Sequence, residues 1–284
     1  MKHLKDITAV LVLYNVSEIV FECLKNLNDV QIIIADNGDN NPDIIERIKK
    51  QKNIFKYFKF KKNIGFGRAC NFCFNYVETD YCLLIEPDVL IKKNHIEKLK
   101  KNFVIYSDAG ILVPTLIDKS NTIIDKLDNI PELKKLEKKN QSQNYVEGDV
   151  CVNFCWAAVM LLNVKIIKKT GLFNKQIFIY WEDFFLCRKL RQLKIPIIKI
   201  FSVHAIHLEG KSTNKTLLSS LIIHKHHILS AYLYFNVNKK EKFLFKKLFI
   251  YIFRTVSYFL IFQFNNSLKN LARTCAVYTY LKKK

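Results

Sequence analysis

The sequence predicts an α/β fold, a mostly parallel sheet flanked by helices, with a helical extension at the C-terminal end. Three observations predict it. Short apolar runs rich in β-branched residues recur through the first hundred positions. Helically spaced segments alternate with them, which is the pattern of a sheet covered on both faces. From about residue 216 the strand-like runs stop and only helical spacing remains.

"ITAVLVLY" (7–14) reads as a strand buried on both faces. "NVSEIVFECLKNL" has helical spacing, with Ser17 as its candidate N-cap. "QIIIA" (31–35) is a second buried strand, ending at the polar turn "DNGDNNPD". Helix "IIERIKKQ", strand "FKYFKF", loop "KKNIGFG", helix "RACNFCFNYV", strand "YCLLI" and turn "EPD" follow. "GILVPTLID" (110–118) reads as a further strand, and the polar, lysine-rich residues 119–149 as a long loop or hairpin. "FCWAAVMLLN" (154–163) resumes the core and leads to helix "VKIIKKTG", capped by Gly171. "YWEDFFLCRKL" (180–190), strand "PIIKIFSVHAIH" and the segment "HLEGKS" complete the α/β part.

At 284 residues, half of them hydrophobic, the chain can bury one large core and carry an appendage. The expected division is an α/β domain over 1–235 and a basic, aromatic helical extension over 236–284. The eight cysteines lie scattered in apolar segments, and the N-terminal residues do not read as a secretory signal. Reduced thiols in a cytoplasmic protein are therefore expected, with Cys70 and Cys73 in core packing. The net charge of +21 calls for an anionic partner. Charge alone raises nucleic acid, but no nucleic-acid module accompanies it, so none is expected as a partner. "LFKKLFIYIFRTVSYFLIFQF" (244–264) is too interrupted by Lys246, Lys247 and Arg254 to read as a membrane span. Its broad apolar remainder suits a helix lying on an acidic leaflet, and nearly as well a helix packed on the α/β domain. His224 and His227 share a helix face, but no acid or cysteine nearby completes a metal site.

Asn15, Asp36, Asn63 and Asp88 all fall just past predicted strand ends, where ligands of open α/β sheets bind. Glu86 and Asp88 flank Pro87 in a turn that could hold a hard divalent cation through one or two oxygens. An acidic turn capping the next helix has the same composition. Gly65 and Gly67 permit close backbone approach to a ligand, though their spacing is that of neither a dinucleotide fingerprint nor a P-loop. Glu182 and Asp183 stand among Tyr180, Trp181, Phe184 and Phe185, where loss of water is costly. They are either a solvated helix start or groups that do chemistry.

In order, "VLYN", "ADNGDN", "NIGFGRACN", "LIEPDV", "YWEDFFLCRKL" and "HLEGKS" resemble the family 2 glycosyltransferases of the GT-A fold. The resemblance covers about residues 7–235 and is strongest to the branch that contains bacterial rhamnosyltransferases. It implies that Asp36 reads the donor's nucleotide base, with Tyr14 and Asn15 lining the same pocket. Asn63 and Arg68 match the loop over the nucleotide. Asp88 matches the last acid of the family's metal-binding turn, with Glu86 in place of the first, and His207 matches a histidine that can complete a Mn²⁺ or Mg²⁺ shell. Asp183 matches the catalytic base of an inverting transfer, with Glu182 beside it. Trp156 and Trp181 are implied at the acceptor side, and Phe185 stands where the family often has an acid. The implied partners are a dTDP- or UDP-sugar, a glycan or lipid-linked acceptor of lipopolysaccharide or surface-polysaccharide type, and the cytoplasmic face of the inner membrane. The altered metal turn also admits a catalytically impaired scaffold of the same fold.

Overall fold

The structure is a computed structural model that describes residues 4–125, 147–208, 217–237 and 242–282. The strands are β1 (Ile7–Leu13), β2 (Gln31–Asp36), β3 (Ile54–Lys59), β4 (Tyr81–Ile85), β5 (Val89–Leu90), β6 (Ile111–Ile117), β7 (Val150–Cys151), β8 (Val159–Asn163) and β9 (Ile197–His207). The helices are α1 (Val20–Asn26), α2 (Pro42–Lys49), α3 (Phe66–Phe74), α4 (Lys93–Asn102), α5 (Val164–Thr170), α6 (Glu182–Gln192), α7 (Leu217–Tyr234), α8 (Lys242–Leu260) and α9 (Phe264–Lys282).

All strands join one sheet in the order β3-β2-β1-β4-β8-β6-β9-β5, with β7 paired to β9. β3, β2, β1 and β4 run parallel. β8 then lies antiparallel between β4 and β6, and β6 and β9 are parallel again. The apolar runs of β1 and β6 are buried throughout, as strands covered on both faces must be. Alternate residues feed two cores. Leu11, Ile34 and Leu83 pack on one face against α1, α2 and α4. Val10, Ile33 and Leu84 pack on the other against α3, α5 and α6.

Local chemistry sets the helix ends. Asn41 caps α2 by accepting from the Asp43 N–H, and Pro42 opens the first turn. Asn163 caps α5, which ends at Gly171 with φ 74°, a left-handed position that favours glycine. The N-cap expected at Ser17 moves: α1 starts at Val20 with Ile19 at its N-cap and no side-chain cap there. Ser17 instead contributes its carbonyl to the Val20 N–H. Cys70 and Cys73 are fully buried core residues, and all eight cysteines are free thiols. Most of the predicted 119–149 loop lies outside the described residues, as do the glycine and serine of "HLEGKS".

The described residues pack as two compact units. One runs to Lys175 and from Glu182 through Leu208, and it contains the sheet. The other combines Gln176–Trp181 with α7, α8 and α9. In the second unit α9 packs against both α7 and α8, and the Tyr280 hydroxyl donates to the Val237 carbonyl at 2.6 Å. Among the described residues no helix is long and apolar enough to cross a membrane.

Leu11 sits on the central strand with no exposed surface. Leu11→Ala should cost roughly 2–5 kcal/mol of stability, read from the urea midpoint at an unchanged m-value.

Candidate active site

Parallel pairing brings the ends of β1 and β2 together, with Leu13 opposite Asp36. Asp36 is buried, and its carboxylate accepts from the Tyr57 hydroxyl and from Asn40 Nδ2. Asn40 also donates to the Leu13 carbonyl at 3.2 Å and accepts from the Val16 N–H at 2.9 Å. That clamp holds the backbone around Asn15, which itself lies in the left-handed region at φ 49°. Beside it, Asn37 donates to Asn63 Oδ1 and accepts from the Ile64 N–H, while Asn63 accepts from the Gly65 N–H. Asn63 therefore shapes the glycine loop. A cavity of about 630 Å³ opens here, lined by Asn15, Gly38, Asn40, Asn41, Lys59 and Lys61. Gly38 is required by close approach: a Cβ there would stand 2.7 Å from Tyr14 Cδ2.

A second group forms where β4 ends. Glu86 is held by its N–H to the Ala158 carbonyl, and Asp88 follows across Pro87. β5 pairs antiparallel with the end of β9, placing Val89 opposite His207, and the Leu208 N–H donates to the Asp88 carbonyl. This pairing carries His207 across more than a hundred residues of chain to the acidic turn. His207 Nε2 stands 3.5 Å from Glu86 Oε2 and 3.8 Å from Asp88 Oδ1. The three residues each offer a ligand atom, all within 4.8 Å of one another. Two carboxylates and an imidazole so placed fit a divalent cation that keeps open positions for phosphate oxygens.

The third group is the start of α6. Tyr180 and Trp181 precede it with φ of 63° and 72°, a left-handed conformation that costs energy for bulky residues. Burial pushes the Asp183 carboxyl up to about 7, although the N–H groups of Phe184, Asp183 and Ala157 pull it down. The Phe184 N–H lies 2.8 Å from Asp183 Oδ1. Glu182 is pushed up to about 8 by burial, then by the charges of Asp183 and Glu86. Its Oε2 is buried without a hydrogen-bond partner among the described residues. Glu86 is pushed up to about 8 by burial and by the charges of Asp88 and Asp183. The acids of the β4 turn and of α6 thus act on one another electrostatically across one site.

The remaining predicted residues fall in different places. Arg68 is exposed and donates from Nε to the Lys175 carbonyl at 2.7 Å. Trp156 is partly buried, with its ring 6.4 Å from that of His207. The Trp181 ring lies in the helical unit, against Tyr234, Phe235 and His227. Phe185, which stands where the family often has an acid, has the Arg188 guanidinium over its ring. Tyr57, Asn37 and Asn40 went unmarked by sequence reasoning, although they build the Asp36 corner. The asparagines lay in the quoted "ADNGDN" turn. Tyr57 looked like any aromatic of an edge strand, and only the pairing of β3 with β2 brings it to Asp36.

The family profile described as "Glycosyl transferase family 2" matches residues 8–171. The chain belongs to glycosyl transferase family 2. Rhamnosyltransferase WbbL of Escherichia coli (strain K12) is 22% identical over 220 residues, covering 70% of this chain and 81% of that protein. Glycosyltransferase GlyG of Streptococcus pneumoniae serotype 4 is 25% identical over 114 residues, and this chain spans 38% of its length. Among solved structures, GalNAc-T7 with UDP, GalNAc and Mn²⁺ superposes with a TM-score of 0.58 at 14% identity. That match covers 81% of this chain and 48% of the other. Staphylococcus aureus TarS 1–349 in complex with UDP-GlcNAc gives 0.54 at 13% identity, over 81% of this chain and 67% of that one. The shared fold is of the GT-A type.

The raised carboxyls set the sign of a pH effect. Glu86, Glu182 and Asp183 hold protons in the folded state that the unfolded chain has already lost, so stability present below about pH 4 is lost as pH rises through 7 to 8. The metal-free protein should therefore melt lower at pH 8 than at pH 5. Added Mn²⁺ should raise the melting temperature more at pH 8, because it binds the ionised carboxylates. Scanning calorimetry across that range checks both trends, and a Mn²⁺ effect equal at the two pH values would contradict the second.

Proposed function

We propose that the protein is an inverting, metal-dependent glycosyltransferase that transfers a sugar from a nucleotide-sugar to a glycan acceptor. The donor we favour is dTDP-rhamnose, with UDP-sugars next. The acceptor is lipid-linked or part of a lipopolysaccharide or surface polysaccharide, and the enzyme is peripheral on the cytoplasmic face of the inner membrane. One observation carries the reading: Glu86, Asp88 and His207 converge as a ligand set, and the charge of Asp183, whose carboxyl burial raises to about 7, acts on Glu86 of that set. The relatives support the donor class, since GalNAc-T7 was solved with UDP and Mn²⁺ and TarS with UDP-GlcNAc. The rhamnose preference rests on the likeness to WbbL.

Asp36, held by Tyr57 and Asn40, binds the base, and Tyr14, Asn15 and Asn63 line the nucleotide. Glu86, Asp88 and His207 would hold the cation, and Mn²⁺ or Mg²⁺ bound there would supply charge neutralisation for the leaving diphosphate. Asp183 accepts the proton of the acceptor hydroxyl as that oxygen bonds to the anomeric carbon. The bond from that carbon to the diphosphate oxygen breaks on the opposite face, and the diphosphate leaves with the electron pair. Glu182 stands beside Asp183 at the start of α6, and its own carboxyl is raised to about 8 by burial and by the Asp183 charge. Glu86, in the place of the turn's first acid, lies within ligand distance of Asp88 and His207, which counts against an inactive scaffold.

Asp183→Asn should lower turnover by roughly 10²–10⁴ while leaving dTDP or UDP affinity, measured by calorimetry with Mn²⁺, unchanged. Retained turnover would remove Asp183 from the role of base. In wild type, kcat/KM should fall as pH drops below about 7, where Asp183 becomes protonated. Gly38→Ala should weaken nucleotide binding by displacing the Tyr14 ring. Unaltered affinity in that variant would take Tyr14 out of the base pocket.

A further inference from the structure

The helical unit carries a surface that the transfer chemistry does not use. From residue 217 to the end the chain has twelve lysines and arginines and a single acid, Glu241. α8 buries Leu244 and Tyr251. Most of its other large apolar side chains are exposed, Phe249 and Phe253 at 70% and 72%, while Leu248, Ile250 and Tyr258 are half-buried. At the turn into α9 the exposure is concentrated: Phe259, Leu260, Ile261, Phe262 and Phe264 are 51–79% exposed. A contiguous apolar patch of this kind marks an interaction site.

The tip is built rather than frayed. Phe262, two residues past the end of α8, lies in the left-handed region at φ 59°, a position that favours glycine or asparagine. The Gln263 N–H returns to the Tyr258 carbonyl at 2.8 Å, and Ser267 Oγ donates to the Thr255 carbonyl at 2.8 Å, closing the hairpin. The rings of Phe259 and Phe262 both pack on Phe264. Phe262 thus accepts a backbone cost while leaving 79% of its surface outside. An apolar partner recovers that cost.

Charge identifies the partner. Residues 255–268 carry no charged side chain, and the first cations on the two arms are Arg254 on α8 and Lys269 on α9. At about 1.5 Å per residue each stands roughly 8–9 Å from its own end of the turn. Interfacial helices sink their apolar faces about 5–10 Å, so both cations would meet the phosphate level together. We propose that the α8–α9 tip is a monotopic anchor seated in the headgroup–acyl boundary of an anionic bilayer, with Arg254 and Lys269 on lipid phosphates. The anchor deepens the membrane placement proposed above and rests on that placement, not on catalysis.

Flotation of the full chain with phosphatidylcholine vesicles, with and without phosphatidylglycerol, tests it. Wild type should float with the anionic vesicles. Phe259→Ser/Phe262→Ser should weaken that binding by roughly tenfold or more. Arg254→Glu/Lys269→Glu, which leaves the apolar tip intact, should abolish the preference for the anionic vesicles. Nucleotide binding with Mn²⁺, measured in parallel, should match wild type in both variants, which separates failure of the anchor from failure of the enzyme reading. Vesicle binding unchanged in both variants overturns the anchor. So does a wild type that ignores anionic vesicles, binds RNA in preference to them, or pairs as a dimer that the double Phe variant splits without loss of flotation.

Discussion

Four carboxylates, Glu86, Asp88, Glu182 and Asp183, share a region short of water, and the arrangement of the catalytic unit answers to that constraint. Like charges in a dry site cannot all ionise. Burial and the charges of neighbouring acids lift Glu86 and Glu182 to about 8, and burial lifts Asp183 to about 7. The same repulsion makes the site receptive to a cation, because a bound positive charge relieves every pair at once. His207, placed within reach of both Glu86 and Asp88, adds a neutral ligand that brings no further negative charge.

The sheet is the device that assembles this crowd. Parallel β1 and β2 bring Asp36 beside the Asn15 corner, and β4 ends at the Glu86–Asp88 turn. The reversal at β8 lets the Ala158 carbonyl bind the Glu86 N–H, while Ala157 lies within hydrogen-bonding influence of Asp183. β9 then runs parallel to β6 and ends against β5, delivering His207. Each delivery depends on backbone pairing, whose register is specified by burial of alternating residues on two faces.

Much of this was legible in the residues. Buried strands such as β1 and β6 announce themselves as continuous apolar runs, and the acids past strand ends mark the ligand edge. The glycine cap of α5 and the helical nature of the last third were equally plain. Other features were not. Ser17 looked like a cap, yet α1 begins three residues later. Trp181, adjacent in sequence to Glu182, has its ring among α7 aromatics, because two successive left-handed residues turn the chain before α6. Tyr57 resembled packing until its hydroxyl met Asp36.

By itself the sequence determined the class of fold, the order of the elements and the identity of the acids, because hydrophobic periodicity and turn chemistry are local properties of the chain. It also determined that the last helices are cationic and rich in phenylalanine. Only the tertiary structure decided which acids feel one another, that Glu86 joins Asp88 and His207, and that Phe259, Phe262 and Phe264 stand exposed together at the α8–α9 turn. Those outcomes are distances between residues far apart in the chain. They arise when strand pairing and helix packing close long loops, and local pattern does not encode them.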